Sequence, residues 1–381
     1  MSAMGEMMMG MLARARLDVP RRVALAGAGK SWWVYGAGKM GRKVAKALQD
    51  SGRRVQGFID PAKHGVFDGL ECLGVEAAML AGGADSPVAL GLHNPMVDAS
   101  RVRERLMAAG FSSVWMPQEL VEAMPSISNF WLAPISAVDA LDLAGIEAAL
   151  ACYGDEQSLD AVASIARWRW LADASALPEP DVAGQYSPDG LGFLPKRLRM
   201  VDCGAYVGDT LEALVALGHE IESYVGLEPD PKNYAKLAAL VGREACPCLA
   251  LPCGAWSDAR MLVFVPDDAA GSVRREGGGA CSDGALRIQT LSIDEAFYSM
   301  RPNFIKMDIE GAEAEALAGA ARCIADHQPS LAVSGYHHPM DLWALPIQIK
   351  TLMMARGGER PRMALRCHAM ASFDSVVYAW R

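Results

Sequence analysis

The sequence predicts an α/β protein with two Rossmann-like domains joined by helices, and three observations carry that prediction. Strand-like and helix-like segments alternate over two separate stretches of the 381 residues, about 20–125 and 196–381. Each stretch places a glycine-rich turn between a strand and a helix, GAGKMG at 36–41 and CGAYVG at 203–208. In each, the next strand ends on an acid, Asp60 in the first and Glu228 in the second. With 51% hydrophobic residues, the chain has enough apolar side chains for two cores.

The opening MSAMGEMMMGMLARARLDVP has too short an apolar run, broken by Glu6, for a signal peptide or a membrane span. A short amphipathic helix packed on a neighbour is expected there. WWVYGAG then reads as a strand entering a turn, KMGRKVAKALQDSG as a helix stopped by glycine, and RRVQGFIDP as a second strand. PVALGLHNP, RVRERLMAAG and FSSVWMP continue as strand, helix and strand, so a parallel sheet with helices on its faces is expected. Gly36, Gly38 and Gly41, with Asp60 lying 22 residues after Gly38, form a Rossmann-like nucleotide fingerprint. Folds of this type hold several nucleotides or none, so the fingerprint does not fix a ligand. The segment ALAGAGKS at 24–31 has the outline of a phosphate-binding loop, but a strand follows where that loop needs a helix.

From 126 to 195 the pattern turns helical and ends in a loop rich in Pro, Gly and Asp, LPEPDVAGQYSPDGLG. The expected units are therefore 1–125, a connector over 126–195, and a second domain over 196–381. Within the connector, Arg167, Trp168, Arg169 and Trp170 read as a helix crossing an interface. With 45 acidic against 36 basic residues and a net charge of −9, the chain lacks the basic footprint of a nucleic-acid partner. Nine cysteines without a disulfide-like framework point to reduced thiols and a cytoplasmic setting. Cys246, Cys248 and Cys253 lack a second pair at zinc-finger spacing, and no metal is assigned to them.

The second domain carries the chemistry. RMVDCGA, SYVGLEP, CLALPCGA, MLVFVP, LRIQTLSID, NFIKMDIEG and SLAVSGYHH read as strands, with RMALRCH and DSVVYAW as two closing ones. Gly204 and Gly208 allow a loop to approach a ligand closely, and the helix opening at Asp209 and Thr210 aims its free N–H groups at that loop. Tyr206 lies between the glycines and is grouped with them. Asp202 is placed to accept from an ammonium, Glu228 to accept from both hydroxyls of a ribose, and Asp258, beside Trp256, from an adenine amino group. A cofactor with a ribose and a charged amino-acid tail, S-adenosylmethionine (SAM), suits that set. Asp308 and Glu310 end a later strand on the crevice side, where they can hold the ammonium, orient a substrate hydroxyl or share a divalent metal. Lys306 reads as a salt-bridge partner, and Glu313 as a carboxylate favoured by its helix dipole. His337, with His338 beside it, is placed to take a proton from a hydroxyl.

These segments resemble the FkbM family of SAM-dependent methyltransferases. The resemblance rests on VDCGAYVGDT, VGLEPDPKNYAKL, IKMDIEGAEAEALAGA and GYHHPMDLWALP, and spans about 198–381. It implies a class I methyltransferase sheet closed by an antiparallel hairpin, and O-methylation of a hydroxyl on a sugar, glycan precursor or secondary metabolite. Carried over by position, Asp202, Gly204 and Glu228 would bind SAM, while Asp308, Glu310 and His337 would face the acceptor. ALPCGAWSDARMLVF departs from the family in lacking the Asn that commonly precedes its small residue. The first domain is similar to the sugar-nucleotide-binding half-domain found before certain sugar acetyltransferases, through YGAGKMG and GFIDP. Two other readings stand beside this one: an NAD-dependent oxidoreductase using GAGKMG, and a non-catalytic module sensing nucleotides or sugar nucleotides.

Overall fold

The computed structural model describes residues 2–26, 31–82, 85–243, 246–265, 272–274 and 286–381. Residues 27–30 of the loop noted at 24–31 therefore lie outside the described residues. A helix, α1 (Ala3–Ala26), leads into β1 (Trp32–Tyr35), α2 (Lys39–Asp50), β2 (Val55–Ile59), β3 (Gly65–Phe67), β4 (Leu70–Leu73) and α3 (Val75–Leu80). β5 (Val88–Leu90), α4 (Ala99–Ala108), β6 (Val114–Trp115) and α5 (Pro117–Leu120) follow. The first sheet has the order β3-β4-β2-β1-β5-β6 and is parallel except for β3. β3 and β4 form a hairpin turning on Asp68 and Gly69, both at positive φ.

Two helices, α6 (Leu143–Leu150) and α7 (Glu156–Leu171), lead to the second α/β unit. It runs β7 (Arg197–Cys203), α8 (Asp209–Ala216), β8 (Glu220–Leu227), α9 (Pro231–Val241) and β9 (Cys248–Leu251). Next come β10 (Gly254–Ala255), β11 (Met261–Val265), β12 (Ser272–Arg274), β13 (Leu286–Leu291) and α10 (Ile293–Ala296). β14 (Phe304–Met307), α11 (Glu313–Ala318), α12 (Ala321–His327), β15 (Ser330–Ser334), α13 (Asp341–Met354), β16 (Arg362–Cys367) and β17 (Ser375–Trp380) complete it. The main sheet has the order β16-β17-β15-β14-β7-β8-β9, five parallel strands closed by the antiparallel β16–β17 pair as the sequence predicts. The segments MLVFVP and LRIQTLSID do not join it. They pair with β10 and β12 in a separate four-stranded sheet.

The order of connection reverses across the main sheet between the parallel strands β7 and β14, with β8 and β9 on one side and β15 on the other. In open α/β sheets, the crevice beyond the strand ends at such a switch point is where ligands bind. Alternation along the strands divides the core into two faces. Val201, Val225, Ile305 and Val333 point into one cluster with α6, α7 and α13, and Met8, Leu12 and Ala15 of α1 are buried in the same cluster. Met200, Tyr224, Phe304 and Ala332 point the other way, against Leu211 and Leu237 of α8 and α9. The Met-rich opening helix thus packs beneath the second unit, while Trp32, Phe58, Leu90 and Phe111 fill the core of the first.

The helix α7 joins these cores. Trp168 is buried in the first core and Trp170 in the second, where its ring stacks on Trp343 at 5.5 Å. Two residues apart on a helix means about 200° around it, so the RWRW run serves both sides at once. Among the described residues, no helix is long and apolar enough to cross a membrane.

Candidate functional site

At the switch point the β7 loop is fixed from beneath. Asp202 has no exposed surface; Lys306 Nζ lies 3.0 Å from its Oδ1 and the Tyr224 hydroxyl donates to its Oδ2 at 3.0 Å. Burial pushes the Asp202 carboxyl up, and Lys306 opposes that. The same ammonium donates to Gly204 O at 2.7 Å, tying the loop to β14. Asp202 therefore holds the loop in shape, and its oxygens are turned inward.

Gly204, Tyr206 and Gly208 all lie at positive φ, 76°, 48° and 93°, which curls the loop into a cradle opening α8 at Asp209 and Thr210. The glycines are needed internally. A Cβ on Gly204 would lie 1.9 Å from the Asp308 carbonyl oxygen, and one on Gly208 would lie 2.3 Å from Leu240. Thr210 is buried, whereas Tyr206 is exposed above the loop.

Glu228 ends β8 facing this cradle. Its Oε2 accepts from Tyr206 N at 2.9 Å and its Oε1 from Asp230 N at 2.8 Å. Each carboxylate oxygen has two lone-pair sites, so each keeps one for a ligand hydroxyl. Burial raises the Glu228 carboxyl to about 7 against the bonds of Asp230 and Tyr206, which lower it. The residues that fit a nucleoside are thus Glu228 and the Tyr206 loop. Asp258 lies further out and is ion-paired with Arg260 on the surface, its carboxyl lowered by that bond, while Trp256 is buried with Leu262 and Ile288.

Beside the cradle, the β14 and β15 ends bring Asp308, Glu310, Glu313 and His337 together. His337 Nδ1 lies 2.8 Å from Glu313 Oε1, which also accepts from Ile309 N at 2.9 Å. His337 Nε2 stands 3.5 Å from Asp308 Oδ1 and 3.6 Å from Glu310 Oε2. Burial alone would lower the imidazole pKa, but Glu313, Glu310 and Asp308 overcome it and hold it at about 10. Burial raises Glu310 to about 8, while the charges of His337 and Lys306 outweigh burial at Asp308 and keep it low. The Tyr186 hydroxyl donates to Asp308 Oδ2 at 2.9 Å and Tyr336 to Oδ1 at 3.4 Å. His338 points elsewhere, to the Gly311 carbonyl at 3.1 Å.

Glu313 is the residue that sequence reasoning undervalued. Its position in the first turn of α11 accounts for a carboxylate, but its burial and its bond to His337 tie it to the site. The spacing of three acids in DIEGAE was the available signal. An aromatic wall was not foreseen either. Phe130 lies 5.8 Å from the His337 ring and 5.6 Å from Phe373, and Tyr336 lies 4.1 Å from His337. Phe130 comes from the stretch after the first sheet, so residues outside 196–381 border the cluster.

The first unit repeats the loop logic. Gly36 is at positive φ, Gly38 caps α2, and a Cβ on Gly41 would collide with Gly36 O. Asp60 Oδ2 accepts from Ala37 N at 2.9 Å and Oδ1 from Ala62 N and Lys63 N. The four fingerprint residues are brought together, and Asp60 pins their loop.

Residues 202–359 match the family model of the methyltransferase FkbM domain. No curated protein matches the chain significantly. Among solved structures, methyltransferase FkbM from Methylobacillus flagellatus KT is 21% identical with a TM-score of 0.78, covering 99% of both chains, a likeness of fold over the whole length. Aeropyrum pernix fibrillarin, solved with S-adenosyl-L-methionine, is 13% identical with a TM-score of 0.29 over 50% of this chain and 70% of its own. That score carries no argument for this chain.

Proposed function

We propose that this chain, whose residues 202–359 match the FkbM methyltransferase domain, is a methyltransferase that uses SAM to methylate a hydroxyl oxygen. The acceptor class is a sugar, a glycan precursor or a secondary metabolite. The observation that carries this reading is the Asp308–Glu310–Glu313–His337 cluster beside the Glu228 cradle. Proton-handling groups beside a loop suited to a nucleoside, at the ends of the central strands, support this reading.

Bound SAM supplies an activated methyl, whose bond to sulfur breaks as the bond to the acceptor oxygen forms, leaving S-adenosylhomocysteine. Glu228 accepts from the ribose hydroxyls, and the Tyr206 loop sets the depth of the cofactor. Asp202 contributes by fixing that loop. The acceptor oxygen must lose a proton, and the cluster takes it. Three carboxylates and one imidazole this close share their protons, so the uptake belongs to the group and not to His337 alone. The eight described cysteines, all free thiols, fit a cytoplasmic setting.

Calorimetric titration of the purified protein with SAM tests the cofactor. Micromolar binding is expected, weakened at least about 100-fold in Glu228→Ala, since two hydrogen bonds to a charged acceptor are worth ~1.5–3 kcal/mol each. Binding of NAD or a UDP-sugar in place of SAM would overturn this reading and move attention to Gly36–Asp60.

A further inference from the structure

The imidazole of His337 is 3% exposed, and its Nε2 has no hydrogen-bond partner. Buried polar atoms are rarely left this way without a ligand or a functional reason. The surroundings name the kind of ligand. Glu313 takes the Nδ1 proton at 2.8 Å and is itself fixed by Ile309 N, so in the neutral ring the Nε2 lone pair faces Asp308 and Glu310. A carboxylate orienting a histidine through its other nitrogen is the usual support of a metal ligand. One ligand atom each from Asp308, Glu313 and His337 lies within 4.8 Å of the others, and Glu310, outside that group, comes within 3.6 Å of Nε2.

The distances leave room for an ion. Separations of 3.5 and 3.6 Å from Nε2 to the two carboxylates are long for hydrogen bonds. In a four-coordinate site with bonds of ~2.0 Å, neighbouring ligands stand about 3.3 Å apart. An octahedral magnesium site with bonds of ~2.1 Å draws them to about 3.0 Å. An imidazole with two carboxylates also suits a borderline transition ion better than a hard one.

We propose that His337 Nε2, Asp308 and Glu310 bind a divalent cation of the zinc class, oriented by Glu313, with the fourth position open to the acceptor oxygen. This rests on the hydroxyl-methylation reading for what fills the fourth position, though not for the ion. The cation lowers the pKa of the hydroxyl it binds, whose proton passes through the surrounding carboxylates to solvent, and it holds the resulting oxygen anion in place for transfer. Tyr186 and Tyr336, both bonded to Asp308, keep that ligand oriented.

The test is titration of the chelator-treated full-length protein with Co2+, whose visible absorption reports four-coordinate geometry. About one equivalent is expected to bind with intense bands and to be displaced by Zn2+. Asp308→Asn and His337→Gln should lose the bands, and Glu313→Gln should weaken binding about 10–100-fold. Circular dichroism melts show whether each variant is folded. Wild-type protein that takes up no more Co2+ than folded His337→Gln, or that shows only weak six-coordinate bands, overturns the proposal. A SAM titration on the same samples separates the two readings: SAM bound without Co2+ sinks only the cation site, and Co2+ bound without SAM sinks only the cofactor reading.

Discussion

Glu228 is a residue whose chemistry depends on pH near neutrality. Burial lifts its carboxyl from 4.5 to about 7, so the protonated form favours the fold. The stability it contributes is complete below pH 4.5 and is lost as pH rises through about 7. Cofactor binding runs the other way, because ribose hydroxyls donate best to the carboxylate. SAM affinity is expected to be flat above pH 7.5 and to fall toward about tenfold per pH unit below 7, as checked by calorimetry from pH 5.5 to 8.5. Affinity independent of pH over that range would remove Glu228 from the ribose. Glu313 acts through His337 instead. Glu313→Gln should lower kcat by about 100-fold and shift its pH profile, with SAM affinity unchanged, a split that general loss of structure would not produce.

Between elements, the Asp202–Lys306 pair joins β7 to β14 at full burial. The Asp202→Asn variant leaves a buried ammonium without its charge partner, which costs about 3–5 kcal/mol. Denaturant unfolding would measure it, and a change below 1 kcal/mol would show that Gly204 O and the Tyr186 ring suffice for Lys306. The glycine loops follow the same element-level rule. In both units an acid ending the second strand accepts a loop N–H, Asp60 from Ala37 and Glu228 from Tyr206. The glycines and acids were visible in the sequence because spacing displays them. That the acids brace the loops was not, since the donors are backbone groups common to every sequence. The β3–β4 hairpin had a local signal in Asp68-Gly69, a favoured two-residue turn. It went unread because Gly65–Phe67 is only three residues long.

At the scale of the molecule, the two units share more than a linker. α7 sends Trp168 into one core and Trp170 into the other, and the Trp168 indole donates to Ala371 O at 3.0 Å. Arg169 bonds Ser372, and Met370 N donates to Pro95 O, so the loop before β17 is clasped by the first unit. A single calorimetric transition is expected for the whole chain. Trp168→Ala, at a cost of about 3–5 kcal/mol, should split it into two. Two transitions already present in the unaltered protein would show that the units unfold independently. The boundary drawn at 126 in the sequence falls where composition changes, whereas the core runs from α1 through α6 and α7 to the main sheet.

The sequence by itself determined the alternating elements, the parallel sheets with their closing hairpin, the two glycine loops and the acids that follow them. These features are set by residues within a few positions of one another, where period, turn chemistry and propensity act. Only the tertiary structure decided that Asp202 is sealed beneath its loop, that Glu313 orients His337, and that Phe130 reaches the cluster from outside the second unit. Each of those depends on a contact between segments 24 or more residues apart in the chain, and burial, which fixes both the charges and their partners, exists only once those segments have packed.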